Sequence, residues 1–179
     1  GWGRLCRERE GVSRMLKGFP PIHSQRSRIL ILGTGPSVVS SLKQQYYGHD
    51  RNAFWPIMSE ILQGPIETYE QKWDLLLAND IALWDVLAEF ERKGSADSAY
   101  TTVIPNNLKL FIDGHVMLNR ILFNGQKASD FYRRLIGSYP PGIAFHTLAS
   151  TSPAYTLGFD QKLEIWRQAI SESGCEKEK

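Results

Sequence analysis

Apolar residues along the chain alternate between two spacings. Arg28 to Leu32 (RILIL) is a short unbroken apolar run closed by Gly33, the pattern of a buried strand. The GTGPS loop follows, where Pro36 blocks immediate entry into a helix. From Ala53 to Leu62 the residues Phe54, Ile57, Met58, Ile61 and Leu62 recur on one helical face, with Pro56 tolerated in the first turn. Tyr69, Trp73, Leu76 and Leu77 form a second helical stripe ending near Asn79, and IALWDV reads as another strand. A short helix is predicted around Leu108 to Ile112, then a third strand over Leu118 to Phe123, with Asn124 placed to cap the next helix. That helix carries Ala128, Phe131, Tyr132, Leu135 and Ile136 on one face. GIAFHTL (Gly142 to Leu148) is a fourth strand, and a last helix carries Leu163, Trp166, Ala169 and Ile170. Strands alternating with helices predict an α/β domain whose central, mostly parallel, four-stranded sheet is covered on both faces, a three-layer sandwich.

Length and composition fit one such domain. The chain has 179 residues, 42% hydrophobic and 22% charged, enough to bury a core. Residues 1–17 hold five basic and two acidic side chains with no apolar period, and are expected to form a flexible basic extension, with Met15 a candidate start. The domain is expected over 18–172, and 173–179 (SGCEKEK) as a frayed tail. No apolar run reaches eighteen residues, so no membrane span is expected. Nor does a charged-then-apolar leader open the chain. Cys6 and Cys175 form neither a CxxC pair nor a disulfide framework, which favours a reducing, intracellular location. The net charge of +2 permits a local nucleic-acid-binding patch without announcing one. The four histidines lack metal-ligand spacing, and H-x-E with P-C-x-x-C is absent, so no metal site is expected and a zinc deaminase is disfavoured. His146 reads as a core histidine, His23 and His115 as surface positions, and Asp85 as a structural carboxylate.

Ligands of parallel sheets sit beyond the carboxyl ends of the strands, so two loops become candidates. After the first strand, Gly33 and Gly35 let backbone approach a ligand, but without a third glycine the dinucleotide fingerprint is incomplete. Further on, YYGHDRNAFW sets Asn52, one acceptor and two donors on a short stem, among flat rings. Asn52 fits a nucleobase edge, or equally a helix N-cap; Tyr46, Tyr47, Phe54 and Trp55 fit base stacking, although Phe54 and Trp55 fit the core as well. After the fourth strand, STSPA offers hydroxyls and amides suited to a phosphate, or simply to a turn.

ILGTGPS, YYGHDRNAFW, IALWDVLAEFERKGSADSA, IPNNL, ILFNGQKA, LASTSPA and KLEIW, in this order, resemble the hypoxanthine-DNA (deoxyinosine) glycosylase branch of the uracil-DNA glycosylase superfamily. The resemblance runs from about Gly18 to Ile170. It implies a single α/β domain that severs a deaminated base, hypoxanthine first and uracil or xanthine next, from DNA without a cofactor. By that resemblance Asn52 is the catalytic residue, holding either water or the base, with His49 as a donor to the leaving purine or equally a brace of the loop. Thr34, Gly35, Pro36, Ser37, Tyr47 and Phe54 would bind the base. Ser150, Thr151, Ser152, Pro153, Ala154 and Tyr155 would hold DNA, with Ala154 or Tyr155 as a wedge. The implied partner is DNA containing deaminated bases, met by a monomer, in the cytoplasm with the nucleoid or in the nucleus. Departures from the family pattern stand at Gly35, Ser37, Asp50, Ala149 and Tyr155. Two other readings compete: a non-catalytic binder of damaged or flipped bases, and a nucleotide- or cofactor-binding transferase read from GTGP.

Overall fold

A computed structural model describes residues 15–92 and 100–171. The strands are β1 (Leu16–Lys17), β2 (Ile29–Gly33), β3 (Ile81–Asp85), β4 (Leu87–Arg92), β5 (Tyr100–Pro105), β6 (Arg120–Asn124) and β7 (Ala144–Leu148). The helices are α1 (Val38–Lys43), α2 (Phe54–Leu62), α3 (Tyr69–Ala78), α4 (Leu108–Asp113), α5 (Gln126–Leu135) and α6 (Phe159–Ser171). Every strand and helix expected from the spacing of apolar residues is present, with ends shifted by a few residues.

The central sheet has the order β3-β2-β6-β7 and all its pairings are parallel. Strand β2 is buried throughout, and alternate residues feed opposite faces. Ile29 and Ile31 join Ile81, Leu83 and Leu122 beneath α2, α3 and α6, a layer anchored by Phe54, Trp55 and Trp166. Leu30 and Leu32 join Ile121 and Phe123 against α4 and α5, through Leu108, Phe111, Phe131 and Tyr132. Helix α3 starts at a reciprocal cap: the Thr68 hydroxyl accepts from Gln71 N, and the Gln71 side chain accepts from Thr68 N.

A second sheet, which the spacing of apolar residues did not predict, has the order β1-β4-β5 and is antiparallel. Its strands are short, and LAEFER buries Leu87 and Phe90 while leaving the residues between and after them half-buried, a weak periodic signal. Leu16 and Lys17 pair with Phe90 and Glu89, so the last residues of the expected flexible extension belong to this sheet. The rest of that extension, residues 1–14, and the expected tail lie outside the described residues. Asn124 does not cap α5. Gly125 holds the cap position without a side-chain bond, and the Asn124 amide turns towards Thr151 instead.

Candidate active site

The carboxyl ends of the four parallel strands, at Gly33, Asp85, Asn124 and Leu148, open onto one cavity of about 830 Å³. That volume lies within the usual range for a small-molecule site. Three segments complete it: residues 34–37 after β2, the loop from Tyr47 to Asn52, and residues 149–155 after β7.

The loop from Gln44 to Ala53 is held by its own aromatic residues. Tyr46 is buried; its hydroxyl donates to Pro20 O at 2.8 Å, and its carbonyl accepts from Trp55 Nε1 at 2.7 Å. Tyr69 Oη accepts from Tyr46 N at 3.0 Å. Tyr46 and Trp55 therefore act as pegs, and Tyr47, His49 and Asn52 between them line the cavity. Tyr47 adopts φ 51°, a left-handed conformation uncommon for a bulky residue, and its ring packs on Phe54 at 4.3 Å. Such strain persists where packing on both sides over-determines it. Phe54 does not line the cavity. It is fully buried behind Tyr47 and against Trp166, so its expected stacking role on a base is replaced by a core role.

Asn52 and His49 both line the cavity, joined by Asn52 N donating to His49 O at 2.9 Å. Asn52 Oδ1 accepts from Phe54 N at 3.0 Å, which satisfies an orphan amide at the start of α2. The N-cap position itself falls to Ala53, so Asn52 serves the helix from one residue before it, and its Nδ2, which makes no protein hydrogen bond among the described residues, remains a donor. His49 Nδ1 accepts from Arg51 N at 3.1 Å, so the proton of the neutral ring sits on Nε2. Asp50 is exposed; Lys43 Nζ bridges it at 3.1 Å and also donates to Gly48 O at 2.7 Å, so it fastens the loop from outside.

Gly35 is explained by its neighbour. A Cβ there would lie 2.5 Å from Cε1 of Phe90, a fully buried ring of β4. A larger side chain at this position would displace that ring, which lies behind the cavity lining. Thr34, Pro36 and Ser37 also line the cavity, Ser37 as the N-cap of α1, where its hydroxyl accepts from Ser40 N.

In the loop after β7 the three hydroxyls have different roles. Thr151 is 1% exposed. Its Oγ1 accepts from Asn124 Nδ2 at 2.9 Å, its N donates to Asn124 Oδ1 at 2.9 Å, and its carbonyl accepts from Ala53 N at 3.0 Å. Expected to touch phosphate, Thr151 instead ties three cavity segments together. Ser150 and Ser152 remain nearer the surface; their Oγ atoms accept from Ser152 N and Ala154 N. Pro153, Ala154 and Tyr155 are exposed at the rim. Lys162, 4% exposed on α6, donates to Ser152 O at 3.0 Å beneath the loop, and burial lowers its pKa.

Two of the cavity's residues were assigned otherwise from the sequence. Asn124 is the hub just described. Asp85 is 3% exposed and lines the cavity, and burial raises its pKa to about 7. The signal for it was an acidic residue ending an apolar strand, IALWD, at the functional edge of a parallel sheet. Beside it the Tyr47 hydroxyl is buried without a hydrogen bond of good geometry; burial and Asp85 raise its pKa, and the nearby Asn124 amide opposes them weakly. His115, expected at the surface, is buried: its Nδ1 bonds Phe111 O at 2.6 Å and its Nε2 meets His23 Nδ1 at 2.8 Å, away from the cavity. No group of three or more His, Cys, Asp or Glu placed to hold a metal occurs among the described residues. No helix among them is long and apolar enough to cross a membrane.

A parallel four-stranded α/β sheet with a cavity at its carboxyl rim, lined by the amides of Asn52, Asn124 and Gln126 and by a hydroxyl-bearing loop, fits the architecture of the uracil-DNA glycosylase superfamily. A solved structure bears this out. The chain matches, with TM-score 0.73 and 31% identity, the solution NMR structure of a protein from Methanosarcina acetivorans described as a candidate uracil DNA glycosylase, covering 89% of this chain and all of that one. It is also 35% identical over 156 residues to a hypoxanthine DNA glycosylase of Methanosarcina barkeri (strain Fusaro / DSM 804), covering 86% of this chain and 97% of the relative. A hypoxanthine DNA glycosylase of Methanosarcina acetivorans is 37% identical over 140 residues, covering 77% and 87%. No family model matches the chain. The chain belongs to the hypoxanthine DNA glycosylase family of the uracil-DNA glycosylase superfamily.

Proposed function

We propose that this protein is a monofunctional DNA glycosylase. It flips a deaminated base, hypoxanthine in the first place and uracil or xanthine after it, into the cavity and hydrolyses the N-glycosidic bond to leave an abasic site. The observation that carries this reading is Asn52. Its side chain lines a base-sized cavity at the sheet's carboxyl rim, with its carbonyl committed to α2 and its Nδ2 donor free. The relatives named hypoxanthine DNA glycosylase supply the base class.

Flipping costs roughly a few kcal/mol and least at mismatched or damaged pairs, which favours the altered base before any contact is made. The bond then breaks with positive charge growing on the sugar and negative charge on the base. Asn52 Nδ2 and His49 Nε2–H are donors for that negative charge, fixed by the hydrogen bonds at their other ends. A fixed donor of this kind in a water-poor site is worth about 2.7–4 kcal/mol. Ser150 and Ser152 hold the backbone phosphates through their hydroxyls, and Tyr155, 49% exposed at the rim, fills the gap left in the stack. Lys162 lies outside the cavity, occupied by the Ser152 carbonyl and by the Tyr155 ring, 5.5 Å away. The enzyme acts as a monomer.

The test is direct. Oligonucleotides carrying inosine, uracil or xanthine are incubated with the protein and then treated with alkali to cleave abasic sites. Asn52→Ala is expected to lower base release roughly 10²–10³-fold while the domain stays folded, with stability reduced only by the lost bond to Phe54 N, about 0.5–2 kcal/mol. Near-normal release by that variant would remove Asn52 from the mechanism. Binding of inosine DNA by the wild type without abasic sites would mark a binder rather than an enzyme.

A further inference from the structure

A second, smaller cavity of about 370 Å³ opens beside the first and takes no part in the proposed mechanism. Pro153 and Tyr155 belong to both linings, so the turn after β7 is what separates the two. Two cations line the smaller cavity: Arg51, from the loop that carries His49 and Asn52, and Lys162, from the first turn of α6. No acidic side chain lines it among the described residues. Pro153, Leu157 and Phe159 supply its apolar wall, and the Phe159 ring is 41% exposed.

Neither cation is neutralised from within the protein. Lys162 is 4% exposed, yet no carboxylate among the described residues lies within ion-pair distance of it. Ser152 O takes one of its three donors at 3.0 Å, and the Tyr155 ring stands 5.5 Å away. The Arg51 side chain is exposed and makes no hydrogen bond or ion pair with the described residues; only its backbone N–H is engaged, by His49 Nδ1. A buried charge without a counter-charge is costly, and an anion entering this cavity offsets that cost.

Position selects the anion. The turn between the cavities carries Ser152, and with Ser150 it receives the phosphates of the flipped nucleotide in the function proposed above. The next unit of the same strand brings one negative charge, a sugar and a flat base, which matches two cations beside an apolar wall that ends in an aromatic ring.

We propose that the smaller cavity is the subsite for the nucleotide adjoining the flipped one on the same strand, its phosphate between Arg51 and Lys162 and its base stacked on Phe159. The assignment rests on the glycosylase reading above and adds which neighbour the protein grips and through which groups. Every base has a face to stack, so the subsite is indifferent to sequence. A neighbour held there no longer packs on the target base, so the grip offsets part of the cost of flipping.

Fluorescence anisotropy tests this with the wild type, Arg51→Gln and Phe159→Ala. The DNAs carry inosine and, one at a time on either strand, a neutral methylphosphonate linkage; a further set lacks the base next to inosine. Arg51→Gln should weaken binding roughly 3–10-fold at about 0.1 M salt and lower the slope of log affinity against log salt by about 0.9. Neutralising one linkage beside inosine should cost as much, and at that linkage the two losses should not add. Phe159→Ala should lose roughly fivefold or more, and nothing further on DNA without the adjoining base. The assignment is overturned if Arg51→Gln binds as the wild type does, if its loss adds in full to that of every neutral linkage, or if the coupling falls on the complementary strand. An equal loss by Phe159→Ala with and without the adjoining base overturns it too. Circular dichroism checks folding; should Phe159→Ala unfold, the Arg51 coupling decides alone. Base release is followed in the same samples. A wild type that binds but releases no base refutes the glycosylase reading, and the coupling still decides the subsite.

Discussion

Thr151 separates a brace from a phosphate ligand, and Thr151→Val tests the difference. The substitution keeps the side chain's shape and its backbone bonds to Asn124 Oδ1 and from Ala53 N, and removes only the hydroxyl that accepts from Asn124 Nδ2 at 2.9 Å. Because Thr151 is 1% exposed, no water replaces the lost acceptor, and the half-buried Asn124 amide is left facing a methyl group. An orphaned buried donor costs about 1–3 kcal/mol, and the partial exposure of Asn124 places this case in the lower half, about 1–2 kcal/mol. For a chain of this size each kcal/mol lowers Tm by about 2–4 °C, so a fall of about 2–8 °C is expected. Thermal melts by circular dichroism measure it, and fluorescence anisotropy with inosine DNA measures affinity in parallel. A brace predicts a lowered Tm with affinity within about threefold, and Thr151→Ser, which retains the acceptor, recovers part of the stability. An unchanged Tm with clearly weakened DNA binding would show that the hydroxyl faces phosphate, and the reasoning from burial would be wrong.

Two other perturbations follow from the packing and the histidine pair. Gly35→Ala places a methyl 2.5 Å from a buried ring atom of Phe90 and should destabilise by about 1–3 kcal/mol, as overpacking does; Phe90→Leu in the same chain should relieve part of that cost, so a double-mutant cycle showing strict additivity would refute the contact. His23 has its pKa lowered by burial and by His115, so the folded state binds fewer protons than the unfolded one as pH falls through the ordinary histidine value of 6.5. Its stability contribution is present above that pH and lost below it. Chemical denaturation across that range should show His23→Asn losing less stability on acidification than the wild type, and equal slopes would exclude the pair as the cause.

The sequence by itself determined the parallel four-stranded sheet, its helices other than α1, and the segments at its functional rim. The reason is local: RILIL, IALWD, RILFN and AFHTL are apolar runs of strand length, and the stripes through Phe54, Trp73, Phe131 and Trp166 keep the helical period. Motif residues that follow a strand in sequence necessarily emerge at its carboxyl end, which is why Thr34 to Ser37, His49, Asn52 and the loop after β7 all reach one cavity.

Tertiary structure alone decided which way each side chain turns once it arrives there. Phe54 and Tyr47 are both aromatic residues of one segment, yet one is core and the other lines the cavity, because Trp166 and α2 enclose the first. Thr151 and Ser152 are adjacent hydroxyls in one turn, and only the register of β6 against β7 brings Asn124 to the first of them. Asp85 and Gly33 lie far apart in the chain and become neighbours only through the parallel pairing of β2 with β3. Composition and spacing encode a segment's own conformation, whereas the partner of a polar atom is set by cross-strand register and by which neighbour excludes water. Here that second level turned a carboxylate with an expected structural role into the floor of the site.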